Sequence, residues 1–434
     1  MNLCFNLALN GSDYFLYALD ERLRKATGRG NACSLAMELD AQLSPEKVQK
    51  RLDSIPALSA LGALRLVKVF PGSVPRWRSC LESSALTLKL SPNTLNWERG
   101  QLNDFADIHP RRQAPLRFDL ISGPHSSTLL FTWHHALMDA NGAEELLRVI
   151  GASSEAWDDT HLLPKNSSLP SALNISAGFF KRLKIHREAR RIIFDSAKKP
   201  VALIGGSGAK PGGSAYRLVR FDLDQTKHID RNCEGLGAAL FKSSVYLAAS
   251  ARALRRILQD RGVAPADFHL PVPHNLRKLG AASPIISNHI TFLFFRIPSA
   301  VLGELKHCVH YIIADLQRMV QQREHLTCTT FLHDMRHLPR QIYLSLVDKP
   351  TAGNLASFFF SDRGEALNRL DSFMGGKITR IAHFPPNTHP PGFTVVFSRW
   401  KGCLIASISY SKGIISEAEL GRFEELLRSD LLSV

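Results

Sequence analysis

Two adjacent histidines, His134 and His135, precede Asp139 and form the strongest candidate site for chemistry in this 434-residue sequence. A histidine side chain titrates near pH ~6.5, so it can take a proton from a hydroxyl or an amine at neutral pH. To do so, it must be held in one orientation. Asp139 follows His135 closely enough to lock the loop or to pair with an arginine. The pattern therefore predicts acid–base chemistry, with His135 and Asp139 as catalytic candidates.

Small and aromatic residues around this motif suit a ligand site. Gly142 and Ala140 would let a ligand approach the backbone, and Trp133 would support the site from behind. The motif follows an apolar strand and precedes a helix, a place where proteins present functional groups. We therefore predict His134, Trp133 and Gly142 as substrate-binding residues.

Other interpretations of the motif have less support. Adjacent histidines on a strand point to opposite faces and rarely bind one metal ion together, and no third ligand stands at zinc spacing. No metal site is therefore predicted. A serine hydrolase would need a G-x-S-x-G element, which the sequence lacks. A pair of structural histidines without chemistry remains the alternative.

The composition is that of a globular protein. Hydrophobic residues make up 44% and charged residues 21%, which excludes wholesale disorder and fibrous repeats.

The sequence has no run of about 18 uncharged apolar residues that would predict a membrane span, and its start lacks the features of a signal peptide. The seven cysteines form no C-x-x-C pair, so we expect free thiols and a cytoplasmic location.

The formal charge of +15 favours an anionic partner. Nucleic acid is not the expected partner, because the sequence has no zinc-finger, basic-zipper or ribonucleoprotein motif. Part of the charge lies in residues 179–199, a basic segment whose apolar residues would suit an amphipathic helix in peripheral contact with a membrane. A solvated helix that connects two domains is the alternative for this segment.

Helical and strand patterns alternate along both halves of the chain, which predicts an α/β fold. A glycine-rich stretch at 205–214 is typical of a flexible linker and lies near the middle of the chain. We therefore predict an N-terminal domain at 1–200, a linker at 201–215 and a C-terminal domain at 216–434.

Local signals predict where several helices and strands begin. Ser12 and Asp13 offer a cap for the first helix. Ser44 followed by Pro45 predicts the start of the second helix, and a capping box opening at Ser416 predicts the last one. A strand is expected at 354–360.

The H-H-x-x-x-D element resembles that of the chloramphenicol acetyltransferase-like acyltransferase superfamily. It is most similar to nonribosomal peptide condensation domains and to the wax ester synthase/diacylglycerol acyltransferase group. Similarity extends over most of the chain, through the segments 39–66, 271–277, 287–298 and 360–364.

The resemblance implies two domains of similar fold, of α+β sandwich type, that form a V with an active-site tunnel between them. An acyl thioester on coenzyme A or on a phosphopantetheinyl carrier protein would enter from one face, and a small alcohol or amine from the other. His135 would be the general base, and no cofactor would be bound. Asp139 would be mainly structural and pair with Arg277, while Asn288 and Ser361 would line the site.

One departure from the family pattern leaves two functions open. Ala140 stands where these families usually have glycine, which would narrow the approach of substrate unless Gly142 serves instead. The first function is an acyltransferase that moves an acyl group from a thioester to a hydroxyl or an amine. The second is a non-catalytic module that binds or recruits a carrier protein.

A monomer is expected, with a basic surface that suits coenzyme A phosphates or an acidic carrier protein.

Overall fold

The computed structural model describes residues 5–68, 70, 73–80, 86–91, 94–152, 179–196, 201–203, 213–277, 284–351, 353–368 and 370–433. The helices are α1 (Gly11–Thr27), α2 (Pro45–Asp53), α3 (Pro56–Gly62), α4 (Ala140–Gly151), α5 (Phe179–Ser196), α6 (Leu223–Gly235), α7 (Lys242–Asp260), α8 (Leu305–Gln321), α9 (Glu324–Met335), α10 (Arg340–Thr351) and α11 (Glu417–Leu432). Short 3₁₀ turns lie at Leu102–Asp104 and Ser299–Gly303.

The strands are β1 (Asn6–Ala8), β2 (Ala32–Leu39), β3 (Leu64–Val67), β4 (Arg76–Ser79), β5 (Lys89–Ser91), β6 (Arg99–Gln101), β7 (Leu116–Ser122), β8 (Ser127–His134), β9 (Ser214–Phe221), β10 (Phe268–Asn275), β11 (Ile290–Ile297), β12 (Phe359–Glu365), β13 (Ser372–Phe373), β14 (Gly376–Phe384), β15 (Phe393–Trp400) and β16 (Cys403–Ser411). Two large sheets dominate, in the orders β13-β14-β2-β8-β7-β5 and β12-β15-β16-β9-β6. Two smaller sheets have the orders β1-β4-β3 and β10-β11.

Each large sheet contains strands from both halves of the chain. Strand β14, from the second half, pairs antiparallel with β2, and β6, from the first half, pairs antiparallel with β9. The predicted linker at 201–215 falls mostly on residues 204–212, which lie outside the described residues. Its last two residues, Ser214 and Ala215, belong to β9. The two halves therefore interlock through exchanged strands, and the domain boundaries remain a prediction.

Each large sheet has its own hydrophobic core. In the first, the sheet packs against α1 and α4, and the rings of Phe118 and Phe131 stack at 4.7 Å. In the second, α7 and α11 cover one face of the other large sheet, where Tyr246 stacks on Phe397 at 4.8 Å. Both cores bury most of their apolar side chains, as is expected of domains this large.

Several helix starts follow the local signals. Ser44 caps α2 with Pro45 in its first turn, and Ser416 with Glu419 forms the capping box of α11, so both predictions are confirmed. The cap of α1 is Asn10, whose side chain accepts a hydrogen bond from the backbone amide of Asp13, and not the predicted Ser12-Asp13 pair. Asn10 was missed because the helix begins one turn before its first apolar residues.

The basic segment forms α5, which packs against α9. Nε2 of His186 lies 2.8 Å from a carboxylate oxygen of Asp334 on that helix. Residues 197–199 of the predicted segment lie outside the described residues. None of the described helices combines the length and apolarity that a membrane crossing requires. Peripheral membrane contact by this segment stays a prediction.

Candidate active site

The H-H-x-x-x-D motif occupies the connection between β8 and α4. Strand β8 ends at His134, and Asp139 is the N-cap of α4. The backbone amide of His134 donates to the carbonyl of Pro115 at 2.7 Å, and that of His135 donates to the carbonyl of Asn31 at 2.8 Å. The residues just before β7 and β2 thus hold the backbone of both histidines.

His134 points into the interior of the first half. Its side chain is fully buried, and Nε2 lies 3.1 Å from Oδ1 of Asp20 on α1. Nδ1 accepts a hydrogen bond from the backbone amide of Ala136 at 3.2 Å. The prediction that His134 binds substrate is therefore wrong for this structure, because successive residues at a strand end face opposite sides.

His135 faces the opposite way and lines a cavity. Burial lowers the pKa of its imidazole below the usual value. The side chain is therefore neutral at pH 7 and able to accept a proton. The amide nitrogen of Asn288 donates to the backbone carbonyl of His135 at 2.7 Å, which fixes the residue from the side of the second half.

Asp139 joins the two halves of the chain. Its carboxylate forms a buried ion pair with Arg277, which is the predicted contact. It also accepts hydrogen bonds at 3.0 Å from the backbone amides of Gly142 and His289. Burial alone would raise the pKa of this carboxyl, but the charge and hydrogen bonds of Arg277 hold it below its ordinary value. Asp139 is thus an anion that positions the loop, and it also borders the cavity.

Asn288 and Gly142 contact other parts of the protein and are not among the residues that line the cavity. Asn288 is 2% exposed and binds Asp13 as well as the His135 carbonyl. A Cβ atom on Gly142 would lie 2.1 Å from the carbonyl oxygen of Ile285. Glycine at 142 therefore lets α4 approach the second half closely, which corrects the predicted ligand-binding roles of both residues.

The cavity has a volume of about 180 Å³ and is built by both halves. Trp133, Ala140 and Ser361 line it. Substrate binding by Trp133 and Ser361 stays a prediction. Its surface is predominantly apolar, with contributions from Phe15, Leu19, Phe292, Phe359 and Phe384. An apolar cavity around a neutral histidine suits an apolar substrate.

A second charged cluster borders the same cavity and was missed by the sequence analysis. Glu144 on α4 pairs with Arg363 of β12 at 2.8 Å, and its carboxylate lies 3.0 Å from Nε2 of His383 of β14. Burial would raise the pKa of Glu144, but Arg363 and His383 lower it to about 2. These three residues are far apart in the chain, so no local spacing signals the cluster.

Cys33 also lines the cavity, although no sequence signature surrounds it. Burial raises the pKa of its thiol, which therefore stays protonated at neutral pH. A nucleophilic cysteine requires a thiolate. The environment of Cys33 thus gives it no nucleophilic role.

Comparison with solved structures shows which fold this is. Trichothecene 15-O-acetyltransferase from Fusarium sporotrichioides matches with a TM-score of 0.71 at 13% identity, over 98% of this chain and 95% of that one. The first condensation domain of the CDA synthetase matches with a TM-score of 0.67 at 15% identity, over 98% and 96% of the two chains. The starter condensation domain of rhizomide synthetase, solved with C8-CoA and Leu-SNAC, matches at 0.66 and 12%, over 98% and 94%.

No protein-family model and no curated protein matches the sequence. The structural matches nevertheless span nearly the whole chain. The predicted α/β fold of two chloramphenicol acetyltransferase-like domains is therefore confirmed, as is the structural resemblance to condensation domains and acyltransferases.

Proposed function

We propose that this protein transfers an acyl group from a thioester to a hydroxyl or an amine, with His135 as the general base. The observation that carries the proposal is the position of His135, a neutral imidazole that borders an apolar cavity built by both halves. The fold matches, which include an acetyltransferase and condensation domains, support the same class of reaction.

The proposed reaction needs one proton carrier. His135 takes the proton from the acceptor hydroxyl or amine as its oxygen or nitrogen attacks the thioester carbonyl. The tetrahedral intermediate then collapses, the carbon–sulfur bond breaks, and the imidazolium returns the proton to the departing thiolate. Asp139 and Arg277 hold the loop during these steps but exchange no proton.

The acyl donor would be a thioester of coenzyme A or of a phosphopantetheinyl carrier protein. The rhizomide synthetase domain was solved with C8-CoA, which supports a coenzyme A thioester as a first choice. The apolar cavity favours an acyl chain or an acceptor without charge. No resident cofactor takes part in the proposed reaction.

A thiol-release assay tests this proposal. Acetyl-CoA, octanoyl-CoA and octanoyl carrier protein are each combined with panels of apolar alcohols and amines, and products are identified by mass spectrometry. The proposal expects acceptor-dependent thiol release by the wild-type protein and its loss in His135→Ala. Release that is unchanged in His135→Ala would contradict the role of His135.

The second candidate function is a non-catalytic module that binds a carrier protein. The observation in its favour is Ala140, whose side chain borders the cavity where related families usually have glycine. This function predicts that octanoyl carrier protein binds equally to the wild type and to His135→Ala, with no product from any donor.

A further inference from the structure

A second cavity, which shares no residue with the one around His135, lies between α7, α11 and the 3₁₀ turn Ser299–Gly303. Its volume is about 340 Å³. Four arginines line it, together with a single carboxylate, that of Asp430. We call it the arginine pocket, defined by Arg252, Arg255, Arg256, Arg422, Gly303 and Asp430.

The arginines are concentrated by helix geometry. Arg252, Arg255 and Arg256 stand at positions i, i+3 and i+4 of α7, so they share one face of that helix. Arg422 approaches from α11. Like charges at this spacing repel one another and destabilise a helix by a few tenths of a kcal/mol per pair. The cluster is thus unfavourable unless an anion offsets it.

The protein itself neutralises only part of this charge. Arg252 is fixed by Asp430 at 2.7 Å and by the carbonyl of Leu302 at 3.0 Å. Arg422 pairs at 3.2 Å with Glu425, and both side chains are about half exposed or more, so this pair is weak. Within the described part of the chain, the pocket arginines form no other ion pair. Arg255 and Arg256 therefore carry uncompensated charge.

Arg255 supplies a second indication that the pocket suits an anion. Its Nε atom is buried and has no hydrogen-bond partner among the described residues. A buried guanidinium N–H without an acceptor is costly. A Cβ atom on Gly303 would meet only the Arg255 guanidinium, at 3.9 Å, so packing does not require glycine there. Glycine instead leaves the pocket wall open beside Arg255.

We propose that the arginine pocket binds a phosphate-bearing small molecule of nucleotide size. Guanidinium groups form paired, charge-assisted hydrogen bonds to phosphate oxygens, and Arg255 and Arg256 have donors to spare. The volume of the pocket falls in the range of small-ligand sites, and its concave form suits a small molecule better than a protein helix. Arg252 also lines the site, and its bonds to Asp430 fix its side chain there.

Calorimetric titration tests this proposal without any need for turnover. ATP, 3′,5′-ADP and pyrophosphate are the anionic probes, and adenosine is the neutral control. Arg255→Gln/Arg256→Gln should weaken binding of the anionic probes by about tenfold or more, since it removes charge-assisted hydrogen bonds. The matched control is Lys227→Gln/Arg231→Gln on α6, which removes the same charge away from the pocket and should change affinity by about twofold or less.

The titration is repeated on His135→Ala, so that failure of the proposed acyl transfer leaves this test intact. Circular dichroism melts show that each variant is folded. Saturable binding of an anionic probe that weakens only in Arg255→Gln/Arg256→Gln supports the proposal. Three results would overturn it: no saturable binding of any anionic probe, equal affinity in the pocket variant, or an equal loss in the α6 control.

Discussion

His134 and His135 are neighbours in the chain, but they lie in two regions with different construction. The region around His134 belongs to the first half alone, where Asp20 contacts His134, Arg24 and the backbone amide of Asn31. The region around His135 is a junction between the two halves. There Asp139 and Glu144 on α4 pair with arginines from the second half.

This difference shows how one loop can contain a histidine ring that the protein holds and a histidine ring that lines a cavity. In the interior region, the protein holds both ring nitrogens of His134: Nε2 lies 3.1 Å from Oδ1 of Asp20, and Nδ1 accepts a hydrogen bond from the backbone amide of Ala136. The junction instead fixes the backbone and the capping carboxylate and leaves the His135 ring beside the cavity. Chemistry is therefore expected where the halves meet, and a purely structural role is expected for His134, where one half packs on itself.

Breaking the junction should have the largest effect on stability. In Arg277→Ala, Asp139 remains as a buried carboxylate without its cation, since both side chains are nearly fully buried. Loss of one partner of a buried ion pair costs about 3–5 kcal/mol. Urea unfolding should show this loss. Arg231→Gln on the exposed side of α6 is the control, and an equal loss in both variants would contradict a special role for the pair.

Acidification should weaken the junction through Glu144. Its pKa is about 2 in the folded protein and 4.5 in the unfolded chain, so the carboxylate contributes stability above pH 4.5. That contribution, at most about 3 kcal/mol, is lost as the pH falls from 4.5 towards 2. Glu144→Gln should remove this part of the pH dependence in urea titrations. An unchanged pH dependence in the variant would contradict the assignment.

Breaking the interior region should cost less than breaking the junction. His134→Ala removes one buried hydrogen-bonded ring, but Asp20 keeps Arg24 at 2.9 Å and the amide of Asn31 at 2.8 Å. A loss of about 2 kcal/mol is expected in urea unfolding. A larger loss than that of Arg277→Ala would reverse the comparison between the two regions.

The smallest change is expected from Ala140→Gly, which removes the methyl group of Ala140 at the border of the cavity. Ala140 is the first residue of α4, where glycine costs less than the about 1 kcal/mol it costs inside a helix. The melting temperature should therefore change little. If Ala140 narrows the cavity, kcat/KM with octanoyl-CoA should rise several-fold in the variant and that with acetyl-CoA should not. Equal changes of kcat/KM for both donors would show that residue 140 does not select donors by the size of the acyl group.

Short-range signals in the sequence predicted much of the fold. The strand–loop–helix around His135, the cap at Ser44 and the capping box at Ser416 were all visible within a few residues of sequence. Helix α6 was missed, although Asp222 and Gln225 form a capping box that could have signalled it. Strand β12 begins at Phe359, five residues after the expected start, because the apolar residues before it are buried in a loop.

Long-range contacts account for what the sequence left unpredicted at the site. Asp13, which binds Asn288, and the cluster of Glu144, Arg363 and His383 come together only through the exchanged strands and the contact between halves. Gly142 illustrates a different limit of prediction from sequence. Its sequence position is consistent with ligand approach, and only the close carbonyl of Ile285 reveals a packing role.

The most direct test of the central claim compares His135→Ala with His134→Ala in thiol release per folded molecule. We predict that His135→Ala lowers kcat/KM by about 10²–10⁴-fold, the usual contribution of a general base, without loss of stability. His134→Ala should keep most activity at a temperature where it is folded. Activity of His135→Ala within about tenfold of the wild type, or a deeper loss in His134→Ala, would contradict the assignment of His135 as the base.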